Sequence, residues 1–474
     1  MAHIVFVTAG LSGLVNASLA LIDQLQQRGH QITYASPRDI RQSLQPLAIP
    51  FVQLAPWTEP TETNADSRWQ KLIHLRQRQE KAVDNLQMNR FSEALRSLSP
   101  DLLLIDIEMH PHVITAITAN YAVGLLCPFM SIWRGLRMPP IHTPIIPGQG
   151  WRGQWWGIQW AWLRYSWQKW RGYQRDRLAK VGCDYRSVLR CYAHKVGYAF
   201  RGGFGFNTWV VPYPHGQLPV LCLYAKGLDF PSVERSWVRY IGPMVKAKEF
   251  DMSEMLSDGE SDRKLTTFLK NRDLQGSIQQ KRPLIYCGFS SFRTVSQSFL
   301  RHLITVATQQ PKWDFIIGLG GTKLLDLSLP IPTPVPTNVC LLSWAPQRML
   351  LSQADCAIIH GGPHTITECI HFGVPMLVSP LNRDDQPGNA ARVIYHGLGL
   401  LHQPDPNNFK SVPDQIQQQL RILLTNKHYR NNLAKMQKAS QHYAVENVAT
   451  QAVEALLPTS SPSSNSSTYQ EDAS

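Results

Sequence analysis

The sequence predicts an α/β protein built from two Rossmann-like domains, each with a parallel sheet, that face each other across a cleft. The chain has 474 residues, more than one hydrophobic core holds at roughly 150 residues per domain. Hydrophobic residues make up 43% and charged residues 17%, which excludes a wholly disordered, collagen-like or coiled-coil chain. Short apolar runs alternate with helical patterns in two successive series, as parallel α/β sheets require.

Each half of the chain supplies one series of elements. In the first half, strands are predicted at 3–8, 31–35, 51–54, 101–107 and 123–128, and helices at 17–27, 66–98 and 111–120. In the second half, the predicted strands are 283–287, 313–319, 339–342, 356–360, 375–378 and 397–401. The helices between them are predicted at 297–309, 346–353, 365–371 and 387–396.

These elements predict the domain limits. The first domain covers 1–245 and contains an insertion near 134–201, and the second covers 282–457. Residues 246–281 are polar and are predicted to form a linker and a surface loop. The Ser-rich end, 458–474, is predicted to be disordered.

Several features indicate a cytoplasmic protein that is at most peripheral to the cytoplasmic membrane face. The eight cysteines form no CxxC or metal-ligand spacing, so we expect reduced interior thiols and no metal. The first residues lack the basic region of a signal peptide. No apolar stretch approaches the roughly 20 residues that a bilayer-spanning helix needs.

The stretch 343–386 carries the chemistry. An apolar strand runs into His360-Gly-Gly, and a helix follows from about Thr365. Glycines at the carboxyl end of a strand let a ligand approach the backbone, and the next helix offers free N–H groups, which together suit a diphosphate. Trp344 is suited to stacking on a base and Glu368 to accepting hydrogen bonds from ribose hydroxyls. Asp385 and Gln386 can bind several sugar hydroxyls at once.

The same stretch resembles the nucleotide-sugar signature of family 1 glycosyltransferases. The residues that match are Trp344, Pro346, Gln347, His360, Gly362, Thr365, Glu368, Gly373, Pro375, Pro380, Asp385 and Gln386. The continuation DQPGNAARVIYHGLG is similar to the bacterial branch that includes zeaxanthin and macrolide glucosyltransferases. The resemblance implies the GT-B fold, a UDP-sugar donor as substrate, inversion at the anomeric carbon, and no cofactor or metal.

Site roles follow from this resemblance position by position. Trp344 would stack on uracil, and Gln347 would contact the base or ribose. His360 would contact the β-phosphate, with Gly362, His364 and Thr365 around the phosphates; the family usually has Asn, Ser or Gly where this chain has His364. Glu368 would bind the ribose hydroxyls, and Asp385 and Gln386 the transferred sugar.

The catalytic base of the family is absent from its usual position. Sugar transfer to a hydroxyl needs a base for the acceptor proton, and Leu14 stands at the position of the family's histidine. Asp106, Glu108, His110 and His112 follow the fourth predicted strand. We expect Asp106, Glu108 or His110 to replace the missing base, although each could also be a helix-capping or loop residue.

A tryptophan-rich arm lies in the predicted insertion. Seven of the 14 tryptophans fall within 151–170, and residues 134–201 contain 13 basic and two acidic residues. Helical spacing places one set of apolar side chains on one face, namely Trp156, Trp160, Leu163, Trp167 and Trp170. Residues 151–177 are therefore predicted to bind an anionic membrane surface. The alternative is a core-packing face; nucleic acid is disfavoured because no RNA-binding motif accompanies the arm.

The sequence thus favours an inverting glycosyltransferase that moves a hexose from a UDP-sugar to a hydroxyl of a lipophilic acceptor. A carotenoid is the first acceptor class to consider, and a sterol, glycolipid or polyketide is the alternative within the enzyme class. Because Leu14 replaces the family's histidine, a catalytically silent nucleotide-sugar-binding protein is the alternative from another class.

Overall fold

The computed structural model describes residues 1–56, 67–199, 215, 218–245, 259–278, 281–289, 296–320, 335–381, 384–403 and 411–458. The tail that is predicted to be disordered lies outside the described residues, except for position 458. Residues 200–201 of the predicted insertion and residues 246–258 and 279–280 of the predicted linker also lie outside them. Within these ranges the chain forms two parallel sheets surrounded by helices, and a cleft separates the sheets.

The first domain contains a seven-stranded parallel sheet within the described residues. Its strands are β1 (His3–Val7), β2 (Gln31–Ser36), β3 (Phe51–Gln53), β4 (Leu102–Asp106), β5 (Val123–Cys127), β6 (Val220–Cys222) and β7 (Val238–Tyr240). Its helices are α1 (Ser12–Gln27), α2 (Arg41–Leu44), α3 (Arg68–Ile73), α4 (Leu75–Asp84), α5 (Met88–Leu98), α6 (His110–Thr118), α7 (Trp155–Ala179) and α8 (Tyr185–Lys195). The strand order is β3-β2-β1-β4-β5-β6-β7.

The second domain contains a six-stranded parallel sheet in the part of the chain that is described. Its strands are β8 (Leu284–Gly288), β9 (Asp314–Gly318), β10 (Val339–Leu342), β11 (Cys356–Ile359), β12 (Met376–Val378) and β13 (Gly399–Leu401). Its helices are α9 (Gly259–Ile278), α10 (Gln297–Gln309), α11 (Gln347–Leu351), α12 (Pro363–Phe372), α13 (Gln386–Tyr395), α14 (Val412–Thr425), α15 (Lys427–Val445) and α16 (Val448–Glu454). The strand order is β10-β9-β8-β11-β12-β13.

In each sheet the sequential order of the strands reverses beside the strand that comes first in that domain. In the first domain the switch lies between β1 and β4, and in the second between β8 and β11. Such switch points open a crevice at the carboxyl ends of the strands, where α/β proteins bind ligands. Asp106 ends β4 and His360 follows β11, so both switch points carry residues that the sequence singled out.

Two segments differ from the predicted organisation. Residues 259–278, expected as linker and loop, form helix α9, which packs beside β10 and buries Leu265. The end of the second predicted domain returns to the first, because α16 packs on α1 and places Ala449, Ala452 and Val453 in the first domain's core. Arg28 and His30 also contact Glu454. The two domains are therefore tied together at the end of the described chain.

A buried ion pair also joins the domains. Arg392 of α13 is 0% exposed, and its Nε donates to Oδ1 of Asp229 at 2.7 Å. The other Asp229 oxygen accepts from the Ser131 amide at 3.0 Å, and the Arg392 guanidinium lies over the Phe230 ring. Asp229, Phe230 and Ser131 belong to the first domain, so this pair fixes α13 against it.

We expect Arg392→Met to lower the thermal unfolding midpoint strongly. The change leaves Asp229 as a buried carboxylate without its cation, which costs about 3–5 kcal/mol. Differential scanning calorimetry measures the shift, and Arg28→Gln at the largely exposed Arg28–Glu454 pair is the control, with a much smaller effect expected. An unchanged midpoint in Arg392→Met would contradict a structural role for the buried pair.

Candidate functional site

A cavity of about 350 Å³ lies between the two sheets at the carboxyl ends of their strands. Both domains line it. The residues predicted for the donor all face this cavity: Trp344, Gln347, His360, Gly362, His364, Thr365, Glu368, Asp385 and Gln386. Asp106, Glu108 and Leu14 line it from the first domain. The structure therefore gathers in one place residues that are up to about 370 positions apart in the sequence.

The turn from β11 into α12 has the geometry of an anion site. Gly361 adopts φ +93°, and a Cβ there would lie 3.0 Å from Val378 Cγ1, so glycine is required. Gly362 is the N-cap of α12 and supplies no capping side chain, and Pro363 follows it. The first-turn N–H groups and the positive end of the helix dipole are thus available for an anion at the cavity.

Two histidines accompany this turn. The Nδ1 atom of His360 and the Nε2 atom of His364 are buried and have no hydrogen-bond partner within the described ranges. Burial lowers the pKa of each imidazole to about 4, so both are neutral near pH 7. The His364 ring reaches across the cleft to α1, because a Cβ on Gly13 would lie 2.9 Å from its Cδ2 atom.

Gln347 connects several side chains of the second domain that line the cavity. Its amide nitrogen donates to Glu368, and to Thr365 Oγ1 at 3.3 Å. Its Oε1 accepts from the Tyr286 hydroxyl at 3.1 Å. Sequence reasoning missed Tyr286, which lies inside the apolar strand β8 and reads there as a core residue. The sequence does not show that Tyr286 lies next to Gln347, because only the folded sheet brings the two residues together.

Asp385 and Gln386 are positioned by the start of α13. The Asn389 side-chain amide donates to Asp385 Oδ2 and to the Gly361 carbonyl, each at 2.9 Å. Gln386 Oε1 accepts from the Leu381 amide at 2.7 Å. Asn389 was not predicted, although it stands one helical turn after Asp385, the spacing at which side chains on a helix meet. Burial raises the pKa of Asp385 to about 6.

Two further carboxyl groups face the cavity from the first domain. Asp106 is 1% exposed; its Oδ1 accepts from the Glu108 amide at 3.1 Å, and its Oδ2 is buried with no partner in the described part of the chain. Burial raises the pKa of Asp106 to about 6. Burial, together with the charges of Asp106, Asp385 and Asp384, raises the pKa of Glu108 to about 8. These carboxyl groups can therefore exchange protons near neutral pH.

His110 and His112 do not reach the cavity, in contrast to the prediction for His110. His110 is the first residue of α6 and only 3% exposed, and its Nδ1 lies 3.1 Å from Nε2 of His215 in the interior of the first domain. The His112 ring packs edge-on against Phe91. The start of the helix turns these rings away from the carboxyl groups of Asp106 and Glu108.

Most side chains that line the cavity from the first domain are apolar. Leu14, at the position of the family's histidine, is 2% exposed and packs in the core while bordering the cavity. The other apolar lining residues of the first domain are Leu11, Ala17, Leu19, Pro128, Phe129, Met244 and Val245. An apolar wall beside ionisable carboxyl groups can hold an apolar molecule with one hydroxyl at the reacting end.

The tryptophan-rich arm forms α7 and exposes the face that the sequence predicted as aromatic. Its exposed side chains are Trp156 (48%), Trp160 (62%), Leu163 (58%), Trp167 (55%) and Trp170 (46%). The opposite face buries Ile158, Trp162 and Tyr165, and the Trp162 indole donates to the Met138 carbonyl at 2.7 Å. The predicted face is therefore not core. We call these five exposed residues the aromatic face of α7.

Membrane-spanning helices and metal-binding clusters are both absent from the described residues. None of the helices seen in these ranges is long and apolar enough to cross a membrane. Over the same ranges, no three or more His, Cys, Asp or Glu side chains are grouped so that they could hold a metal ion.

Two parallel-sheet Rossmann-like domains around such a cleft define the GT-B class of glycosyltransferase folds. The solved structure of the kitacinnamycin glycotransferase superimposes with a TM-score of 0.64 over 96% of this chain and 99% of that one, at 19% identity. Residues 324–455 match the family described as "Erythromycin biosynthesis protein CIII-like, C-terminal domain". The predicted GT-B fold and the resemblance to family 1 glycosyltransferases are both confirmed.

Curated relatives match over shorter lengths. The zeaxanthin glucosyltransferase of Pantoea ananas is 34% identical over 129 residues, which are 27% of this chain and 28% of that protein. The UDP-glucuronosyltransferase 1A8 of Rattus norvegicus is 32% identical over 117 residues, 24% of this chain and 21% of that protein. The chain thus matches less than a third of the length of these relatives.

Proposed function

We propose that the protein is an inverting glycosyltransferase that moves a hexose from a UDP-sugar to a hydroxyl of a lipophilic acceptor. The observation that carries this proposal is the interdomain cavity, which combines the start of α12, a nucleotide-sugar signature that departs from the family at His364, and ionisable carboxyl groups. The names of the relatives, a zeaxanthin glucosyltransferase and a UDP-glucuronosyltransferase, agree with this donor class. A protein that binds the donor without turnover is the alternative, because Leu14 provides no proton acceptor.

In the proposed complex the donor lies along the second domain. Trp344 stacks on the base, while Gln347 and Glu368 face the ribose. His360, His364, Gly362 and Thr365 surround the diphosphate at the start of α12, where the free amides stabilise the departing UDP. Asp385 and Gln386 bind the sugar. The proposed order ends at Asp385, whose charge raises the pKa of Glu108 on the facing domain.

We expect His360→Ala to weaken UDP binding about 10- to 100-fold, since a lost hydrogen bond to a charged group costs about 1.5–3 kcal/mol. Isothermal titration calorimetry with UDP measures the change. His364→Asn, which restores a residue usual in the family, is the matched control and should keep most of the affinity. Unchanged UDP affinity in His360→Ala would remove His360 from the proposed phosphate contacts.

The proposed base is a carboxylate of the first domain. Leu14 provides no imidazole at the position of the family's histidine, and His110 lies away from the cavity. Asp106 and Glu108 line the cavity, and their raised pKa values bring a carboxylate closer in basicity to an acceptor proton than an exposed one would be. Asp106 is the first choice because its buried Oδ2 has no partner among the described residues.

We expect Asp106→Asn to abolish transfer while UDP-sugar binding is retained, because the amide keeps the shape but cannot accept the proton. Release of UDP with a panel of hydroxylated lipids measures turnover. Glu108→Gln is made in parallel, and full turnover in both variants would place the base elsewhere. Leu14→His is not expected to increase activity by itself.

The pH profile distinguishes the two carboxyl groups. With Asp106 as base, kcat/KM falls as the pH drops below about 6, since the carboxyl group must be ionised in the free enzyme to accept a proton. With Glu108 as base, kcat/KM falls as the pH drops below about 8. Absence of turnover with every lipid, together with normal UDP binding, would favour the silent-binder alternative.

The apolar residues that line the cavity from the first domain support a lipophilic acceptor. A carotenoid is the first class to test, because the sequence resembles the bacterial branch with zeaxanthin glucosyltransferases and a relative carries that name. A sterol, a glycolipid or a polyketide is the second choice. A competition experiment, in which these lipids are offered together and the glycosylated product is identified, distinguishes the acceptor classes.

We also propose that α7 holds the protein on an anionic membrane on the cytoplasmic side. Its aromatic face is exposed, and Arg164, Arg171 and Arg175 lie at seven- and four-residue spacing along one edge of that face. Indole rings with basic neighbours suit the headgroup region of an anionic bilayer. Peripheral binding would bring the cleft to a membrane-dissolved acceptor.

We expect replacement of Trp156, Trp160 and Trp167 by serine to reduce co-sedimentation with anionic vesicles. The apolar contacts with the lipid are lost, whereas the exposed positions should tolerate serine without unfolding. Higher salt should weaken vesicle binding of the intact protein, because it screens the arginine–lipid attraction. Equal vesicle binding by the triple variant and the parent would argue against the membrane role of α7.

A further inference from the structure

A second apolar surface lies on helix α3. Its side chains Trp69, Leu72 and Ile73 are 76%, 50% and 73% exposed. They stand at positions i, i+3 and i+4, so they share one side of the helix. No residue of α3 is buried. Three large apolar side chains exposed together on a short helix form a patch of the kind that marks a binding surface; we call it the α3 patch.

Hydrogen bonds attach α3 to the end of α7. Arg78 of α4 donates from Nη1 to the Lys71 carbonyl at 3.0 Å and to the Val181 carbonyl at 3.3 Å. Its Nη2 donates to the Lys180 carbonyl at 3.3 Å. One guanidinium group therefore holds the last turn of α3 against the turn that follows α7. The two helices move together rather than as separate arms.

Side-chain packing strengthens the same junction. The Gln79 amide donates to the Gly182 carbonyl at 2.8 Å, and a Cβ on Gly182 would lie 3.1 Å from Leu75 Cδ1. Leu178, in the last turn of α7, is 74% exposed. Large exposed apolar side chains are thus present on both elements that meet at this junction.

The charge around the junction selects the kind of partner. Arg68 and Lys71 lie on α3, which has no acidic residue, and Arg171, Arg175 and Arg177 lie on the last part of α7 with Asp176 as the one acid between 171 and 180. Indole and aliphatic side chains among basic groups complement the acyl boundary and phosphates of an anionic bilayer.

We propose that the α3 patch is a second lipid-contacting element that binds the same bilayer as the aromatic face of α7. This inference rests on the proposed membrane association of α7, and it adds that the protein binds the bilayer in one fixed orientation. A single amphipathic helix leaves the protein free to roll about the helix axis. A second contact held at a fixed distance by Arg78 removes that freedom and sets how the first domain, with its cleft, faces the membrane.

The test uses the full chain and compares a triple variant of the α3 patch with a matched control and with the α7 triple variant described above. Trp69→Ser, Leu72→Ser and Ile73→Ser together should weaken binding to phosphatidylcholine–phosphatidylglycerol vesicles roughly fivefold or more, because three apolar side chains no longer enter the interface. Val445→Ser is the matched control, since Val445 is 79% exposed on α15 in the second domain; it should leave vesicle binding unchanged. UDP affinity reports that each variant is folded.

A second measurement locates α3 directly. A nitroxide attached to Leu72→Cys should become accessible to dissolved oxygen and shielded from an aqueous relaxing agent when vesicles are added. The parent, in which Cys191 is partly exposed and the other seven cysteines are buried, gives the labelling background. A label that stays fully accessible to the aqueous agent on vesicles would overturn the proposal, even if the triple variant binds weakly.

The outcomes separate this inference from the proposed function. Unchanged vesicle binding by the α3 variant, with binding lost in the α7 variant, overturns the α3 patch and leaves the membrane role of α7 intact. No vesicle binding by the parent overturns both. A patch that binds another protein while its label remains in water on vesicles also overturns the proposal.

Discussion

The buried pair of Asp229 and Arg392 is the interaction on which the cleft geometry depends. It connects α13 of the second domain to the loop before β7 and to Ser131 of the first domain. The same helix packs so closely on the first domain that a Cβ on Gly388 would lie 2.1 Å from the Ile141 carbonyl oxygen. Helix α13, which begins with Gln386, is thus fixed against the first domain, so Asp385 and Gln386 keep a set position relative to Asp106.

Charge is distributed unevenly along the cavity, and this division suits a sugar diphosphate. Around the start of α12 the ionisable side chains are neutral histidines, and the helix dipole favours an anion. At the other end, burial raises the pKa of Asp106 and of Asp385, and burial together with the charges of Asp106 and Asp385 raises the pKa of Glu108. A negatively charged leaving group is therefore attracted to one end, while proton acceptors are kept at the other.

The sequence predicted what depends on local pattern. Buried parallel strands are continuous apolar runs, so β1, β4, β8 and β11 were recognisable, and the donor residues fall within about 45 positions. Contacts between distant segments were not recognisable. Tyr286 reaches Gln347 across 61 positions, α16 returns to α1, and His110 turns to His215. Each of these depends on which side of an element faces the interior, which one sequence alone leaves open.

For α7 too, the sequence alone did not show which side of the helix faces the interior. Periodicity identified its aromatic side, but only the fold shows that Ile158, Trp162 and Tyr165 form the buried side. Lys169 of α7 lies close enough to Glu108 for its charge to oppose the raised pKa of that carboxyl group. One helix thus has indole rings in solvent on one side and, on the other, a lysine beside Glu108, which lines the cavity. For the proposed transfer to a lipophilic alcohol, this arrangement places the helix that would contact the membrane next to a carboxyl group of the cavity, so that the hydroxyl can enter while its apolar body avoids water.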